Sequence, residues 1–298
     1  CCCKQPLTSQ RQQRGCRTWG EAGAWAPIVI LVLLIGYSYY VYVVTFSSQY
    51  LLHRLGRRTQ SGLYIAFYNL LLPLTMACYV KAIVMDPGDT ACYRLIPAGQ
   101  PIPAAGDDKR PVKQVTTGRF CGVCQAPKPD RTHHCSVCQM CVLKMDHHCV
   151  WLNTCIGFKN YKSFILLLLW GFVWCAFVTA TLMQILIWQL ATSQLFGNSV
   201  QFLIVCIFAL GLGLCCLTLF SFHVYLIVKG RTTIEHIERN DARREGRQVA
   251  PWTSWSLGWR KNLRQVIGSN PALWLLPWNN SLGDGVTFQR HQGALQPA

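Results

Sequence analysis

Seven cysteines and four histidines fall between Phe120 and Gly157, while the other ten cysteines are scattered through apolar or terminal segments. The spacing reads Cys121-x2-Cys124, then His133-His134-Cys135-x2-Cys138-x2-Cys141, then Asp146-His147-His148-Cys149 and Cys155. Cysteines two residues apart on a tight turn reach one metal ion, and zinc closes a tetrahedron of four sulfur or nitrogen ligands. Two ions therefore take six cysteines and two histidines, which leaves one cysteine and two histidines over. Neighbours such as His134 and Cys135 point in different directions and are expected to serve different ions. This favours two interleaved sites over two consecutive ones and leaves some partners open.

The surplus is expected in Asp146-His147-His148-Cys149. A thiol attacks as the thiolate; a neighbouring imidazole can take its proton, and a carboxylate can fix that imidazole's tautomer and stabilise its charged form. On spacing alone the alternative is that Cys149 and His147 are further ligands, in an excess that lets the sites form in more than one way. Disulfides are the other reading of so many cysteines, and a reducing compartment counts against them.

The elements that must hold these groups are membrane spans. Of the 298 residues 51% are apolar and only 13% charged, which excludes disorder and fibrous repeats. Runs without Lys, Arg, Asp or Glu cover 27–46, 63–80, 163–190 and 202–228, each about the length needed to cross a bilayer. The expected fold is an all-α integral membrane protein, with four transmembrane helices and a Cys-rich two-zinc domain between helices 2 and 3. Of the 28 Lys and Arg, four precede the first span, eleven lie in the middle insert, ten follow the last span, and three sit in the first short loop. Positive residues stay on the cytoplasmic side, so both termini and the insert are expected in the cytosol. The organisation read is a cytosolic segment 1–26, spans 1 and 2 in 27–80, a cytosolic zinc domain 81–162 with its core at 120–157, spans 3 and 4 in 163–228, and a cytosolic tail 229–298. The chain is read as opening without a cleavable signal peptide. The pattern Asn279-Asn280-Ser281 matches a glycosylation acceptor but falls on the side where no glycan is added, so a glycan there would overturn the topology.

The run from Cys121 to Cys155, with two spans on each side, resembles the DHHC-type protein S-acyltransferases, or palmitoyltransferases. Asp86-Pro87-Gly88 after the second span and Thr232-Thr233-Ile234-Glu235 after the fourth stand where that family carries its DPG and TTxE motifs. The stretch 261–266 with its Asn262, followed by Trp274, resembles the family's C-terminal motif. The resemblance implies two steps: Cys149 takes a fatty acyl group from palmitoyl-CoA or a similar long-chain acyl-CoA, then passes it to a membrane-proximal cysteine of a protein. It implies His147 as base and Asp146 as its orienting partner. It places one zinc on Cys121, Cys124, His134 and Cys141, and the other on Cys135, Cys138, His148 and Cys155. Val150 stands where the family commonly has Pro, and Thr154 where Asn is frequent.

A thioester donor suits a membrane, since each buried CH2 contributes about 0.8 kcal/mol while the phosphates stay in water. Cys149 lies fourteen residues before Ser163, so the insert is expected to hold it close to the third span. Lys128, Arg131 and Lys144 are candidate partners for CoA phosphates, against the alternative of solvated or lipid-facing charges. Ser38 and Trp174 are candidates for the end of an acyl cavity, against ordinary helix packing. Thr232-x-x-Glu235 has capping-box spacing and Asp86-Pro87-Gly88 is a turn sequence, so Asp86, Thr232, Thr233, Glu235 and Asn262 are expected as structural supports. Trp252, Trp255, Trp259, Trp274 and Trp278 are expected as interfacial aromatics, and Cys1, Cys2, Cys3 and Cys16 as acylation acceptors. The partners expected are acyl-CoA, protein substrates and the bilayer, with no nucleic acid. The membrane expected is the Golgi, the endoplasmic reticulum or the plasma membrane. A membrane-tethered zinc finger that only binds is the rival reading, and in it Cys149 would be dispensable; a transporter is disfavoured by spans without charge.

Overall fold

A computed structural model describes residues 22–102, 108, 110–115, 117–193, 197–247, 255–278 and 280–289. Cys1, Cys2, Cys3, Cys16, Trp252 and Asn279 lie outside the described residues. Among the described residues four helices are long and apolar enough to cross a membrane: Gly23–Arg54, Arg58–Val84, Tyr161–Ala191 and Ser199–Lys229. The first comprises α1 (Ala22–Tyr39) continued by a π-helical segment, Tyr40–Arg54; the other three are α2, α3 and α4. Each extends beyond the uncharged run that announces it, most of all the first, which continues past Phe46 to Arg54. An uncharged run marks the part suited to lipid, whereas a helix continues until its backbone is turned aside, as at Gly56 and Gly230, both with positive φ. In the π-helical segment the buried residues cluster at Val41 and Tyr42, at Thr45, Phe46 and Ser47, and at Tyr50 and Leu51, four to five positions apart, as the wider turn of i→i+5 hydrogen bonding places them.

The chain separates into two units. One comprises 26–80 and 165–223, and its core is aromatic. The Tyr42 ring stacks on Tyr68 at 4.7 Å, Phe46 meets Phe202 edge-on at 5.4 Å, and Trp174 meets Tyr68 edge-on at 5.7 Å. Leu33, Leu70 and Leu190 are more than 60% exposed, as expected of helices whose outer faces meet lipid rather than water.

The other unit gathers 81–164 with 224–298, so the tail expected as a separate region belongs to the body of the zinc domain. Here the backbone forms short two-stranded pieces: β1 (Arg94–Pro97) parallel to β2 (Val112–Val115), and three antiparallel hairpins. The hairpins are β3–β4 (Phe120–Cys121, Ala126–Pro127), β5–β6 (His133–Cys135, Met140–Val142) and β7–β8 (His147–Cys149, Thr154–Ile156). Helices α5 (Thr233–Arg244) and α6 (Trp259–Ile267) also belong to it. Thr232 and Glu235 form the capping box read from their spacing.

Asp86-Pro87-Gly88 secures the entry to this unit. The Asp86 carboxylate accepts from the Gly88 and Asp89 amides and pairs with Lys159 at 2.8 Å, and Leu143 donates its amide to the Gly88 carbonyl. Gly157 must be glycine, because a Cβ there would lie 2.6 Å from the Pro87 oxygen and 2.5 Å from Val142. Lys162, only 1% exposed, donates to the carbonyls of Leu273 and Trp278 and to Asn280 Oδ1 at 2.6–2.8 Å, fixing the tail to the start of α3. Lys162→Met strands those acceptors and is expected to cost about 3 kcal/mol. Thermal unfolding in detergent reads this as a lower Tm; an unchanged Tm would show that the ammonium is not what holds the tail.

Candidate active site and metal centres

The three hairpins are one structural phrase repeated every fourteen residues: Cys121, Cys135 and Cys149 each end a first strand. Each tip closes on a left-handed residue in the same place, Gln125, Gln139 and Asn153, with φ of 51°, 53° and 47°. In the first two tips a second cysteine follows, and its amide points at the first sulfur (Cys124 N to Cys121 Sγ, 3.4 Å; Cys138 N to Cys135 Sγ, 3.3 Å). In the third, the corresponding residue is Leu152, 1% exposed. Across the strands, His134 faces Cys141 and His148 faces Cys155, where the first hairpin has Phe120 and Pro127.

Each metal site combines the tip of one hairpin with the strand pair of the next. The first group is Cys121, Cys124, His134 and Cys141; the second is Cys135, Cys138, His148 and Cys155; within each, all donor atoms lie within 4.8 Å of one another. A tetrahedron of sulfurs about 2.3 Å from zinc has edges of about 3.8 Å. The separations fit: His134 Nδ1 stands 3.3 Å from Cys124 Sγ and 3.9 Å from Cys141 Sγ. His148 Nδ1 stands 3.3 Å from Cys138 and 3.7 Å from both Cys135 and Cys155, and the sulfurs of Cys155 and Cys138 are 3.6 Å apart. Six sulfurs and two ring nitrogens are a zinc donor set, and the sites interleave. The tip of the third hairpin has no hairpin after it and lacks the second thiol, so Cys149 belongs to neither group.

The residues beside Cys149 take their places from elsewhere in the unit. Asp146 is 1% exposed, and its carboxylate accepts from His147 Nδ1 at 2.7 Å, from the Thr233 amide at 2.9 Å and from Thr233 Oγ1 at 2.7 Å. Thr233 is the first residue of α5, whose free amides favour negative charge. A carboxylate only accepts, so Nδ1 carries the proton and Nε2 is left to exchange one. Burial draws the His147 pKa down, but Asp146 and the nearby Cys149 thiol outweigh it and hold it at about 9. The ring is also braced edge-on by Phe164 at 5.2 Å.

The candidate phosphate contacts fall in different places. Arg131 departs from the expectation: it is 4% exposed, its guanidinium holds Glu235 at 2.6 and 2.7 Å and the Gly230 carbonyl at 3.0 Å, and it stacks near Trp255 and Phe288. A fully engaged guanidinium is a structural bolt to α5, and the spacing that announced Glu235 as a cap held no sign of this second role. Lys128 is half-buried near Arg119 and His133, and with burial these two cations push the His133 pKa down to about 4. Lys144 lines a cavity of the zinc unit. In the other unit, Ser38 and Trp174 are both buried and both meet Tyr68, with Ser38 Oγ 3.3 Å from its hydroxyl. Asn262, 3% exposed, donates to the Val228 carbonyl and the Ser256 hydroxyl and accepts from the Leu257 amide, joining α6 to the end of α4. Asn160 escaped sequence reasoning: fully buried, it binds the Gly157 amide and the Ala82 and Cys155 carbonyls. The hairpin repeat also escaped it, although the fourteen-residue recurrence of Cys121, Cys135 and Cys149 is visible in the chain.

Fold and site together define a multi-pass membrane protein whose Cys-rich unit carries two zinc sites and a separate thiol beside a carboxylate-held imidazole. Comparison with known proteins gives the same class a name. Residues 114–240 match the DHHC palmitoyltransferase family. Palmitoyltransferase ZDHHC20-A of Danio rerio is 35% identical over 288 residues, covering 89% of this chain and 77% of that one. Palmitoyltransferase ZDHHC15 of Xenopus laevis is 36% identical, with 92% and 84% covered, and palmitoyltransferase ZDHHC20 of Homo sapiens 32% identical, with 92% and 78% covered. The chain belongs to the DHHC palmitoyltransferase family and is a protein S-acyltransferase.

Proposed function

We propose that Cys149 is the nucleophile that carries the acyl group between acyl-CoA and protein. Its proton rests on His147 Nε2, whose raised pKa favours a thiolate–imidazolium pair, and its sulfur bonds to the thioester carbonyl carbon. The carbon–sulfur bond to CoA then breaks, and the proton returns to the departing CoA thiolate. In the second step the thiol of a protein cysteine gives its proton to His147, attacks the acyl carbon and displaces Cys149. Asp146 keeps the His147 tautomer through both steps, and Thr233 keeps Asp146. The zinc ions hold the hairpins, and with them the strand that ends in Cys149. Lys128 is the candidate for the donor's phosphates that stands beside a second cation, Arg119. Ser38 and Trp174 are candidates for setting acyl-chain length around Tyr68. Both termini and the zinc unit face the cytosol in this reading, which rests on the distribution of Lys and Arg.

The observation that carries the proposal is that Cys149 occupies a zinc-ligand position in the repeat, has Leu152 in place of a second thiol, and lies instead beside the His147–Asp146 pair. Incubation of the purified chain with palmitoyl-CoA, followed by mass measurement of the intact protein, is expected to show a hydroxylamine-labile acyl adduct that Cys149→Ser lacks. An adduct that persists in the variant would place the nucleophile elsewhere. No adduct on a folded, zinc-loaded wild-type chain would favour the tethered binding module.

A further inference from the structure

The zinc unit contains a cavity of about 480 Å³, walled by Phe158 and Phe288 and lined by Lys144, Lys261, Arg264 and Gln265, with no carboxylate among the described residues of its lining. The cations come from two parts of the chain: Lys144 precedes β7, while Lys261 and Arg264 lie three residues apart on the exposed face of α6. Among the described residues none of the three forms an ion pair. Lys144 contrasts with Arg131, which meets Glu235; it is half-buried, and its ammonium lies over the Tyr161 ring at 5.8 Å. Burial and the nearby Arg131 push its pKa down to about 7, against the opposing pull of Glu235 and Asp146. Three cations that share one cavity without an ion pair among the described residues repel one another there, and an anion of two or more charges would relieve that repulsion. The space far exceeds what a single inorganic phosphate fills and falls in the range of small-molecule sites. The aromatic walls suit a ring.

We infer that this cavity binds a ring-sized organic phosphate other than the acyl donor, with Lys144, Lys261 and Arg264 as its phosphate contacts. The same chemistry is offered by a phosphorylated inositol lipid headgroup and by a soluble inositol phosphate. The test uses the full chain in nanodiscs, titrated with soluble inositol trisphosphate, and separately with nanodiscs made with or without phosphatidylinositol bisphosphate. Lys261→Glu with Arg264→Glu, both exposed and on a surface helix, is the main variant; Lys144→Met is the second. Arg243→Glu with Arg244→Glu, exposed on α5, is the charge-matched control. The result expected is saturable binding that the main variant weakens about tenfold or more, while the control changes it less than about twofold. Binding of the soluble probe would assign the site to a free inositol phosphate, and binding confined to the lipid would assign it to a headgroup. The inference is overturned if neither probe binds, if the control matches the variant, or if free CoA displaces the probe, since that would make the cavity part of the donor site.

Discussion

Cys138→Ser is expected to lower bound zinc from two ions per chain to one and to abolish acyl-enzyme formation. Structural zinc contributes on the order of 10–16 kcal/mol of apparent binding energy to folding in small zinc modules, more than any other single interaction in this unit. The second site joins the tip of the middle hairpin to His148 and Cys155, one on each strand of the Cys149 hairpin. Losing it frees the strand that ends in the nucleophile. Cys124→Ser removes the first site, which touches only the first two hairpins, and is expected to leave more residual acylation. Metal analysis of the purified variants beside the acyl adduct measures both effects. Two zinc ions and full acylation in Cys138→Ser would show that this sulfur is not a ligand.

Asp146→Ala carries the second large effect. It leaves both groups of metal donors intact and takes away the acceptor that fixes His147 Nδ1. Loss of a correctly oriented general base lowers rates by about a hundredfold to ten-thousandfold. Single-turnover acylation of Cys149 at saturating palmitoyl-CoA is the measurement, because it separates the rate from donor binding. Thr233→Val keeps the backbone amide on Asp146 and loses only the hydroxyl contact, so about a tenfold fall is expected. A wild-type rate in Asp146→Ala with zinc retained would remove the carboxylate from the mechanism. A Thr233→Val defect equal to that of Asp146→Ala would show that the hydroxyl is what orients it.

Much of this site is legible before any coordinates are known, because its chemistry is written in residue types at short range. Cys-x2-Cys puts two thiols on one tip, and adjacent His and Cys point apart, so local geometry favours two interleaved metal sites, while which thiol is spare is left to the family resemblance. The spans follow with equal directness, since an uncharged run of about twenty residues has few other uses. Their ends do not. Helix α1 continues as a π-helical segment to Arg54, because nothing in 47–54 stops backbone hydrogen bonding, and the polar side chains there change only where the helix meets water.

The supports show where local reading stops. Thr232 and Glu235 announced themselves as a helix cap, and they are one. The neighbouring Thr233 reaches across 87 positions to Asp146, and Glu235 reaches 104 positions to Arg131. Arg131 looked from the sequence like any basic residue available to phosphate. Lys162, in the sequence one of eleven positive residues of the insert, is a buried ammonium that three acceptors of the tail surround.

From the chain alone come the apolar spans and a pair of interleaved metal sites, which depend on side-chain type within a few residues, while the exact donor sets and the class of chemistry come from the family resemblance of its motifs. Only the tertiary structure decided that the tail is part of the zinc unit, that α5 supplies the donors to Asp146, and that Lys144, Lys261 and Arg264 share one cavity. Those pairings join residues tens to more than a hundred positions apart. What selects them is burial and mutual satisfaction of charges and hydrogen bonds in the folded chain, and no short-range pattern encodes that.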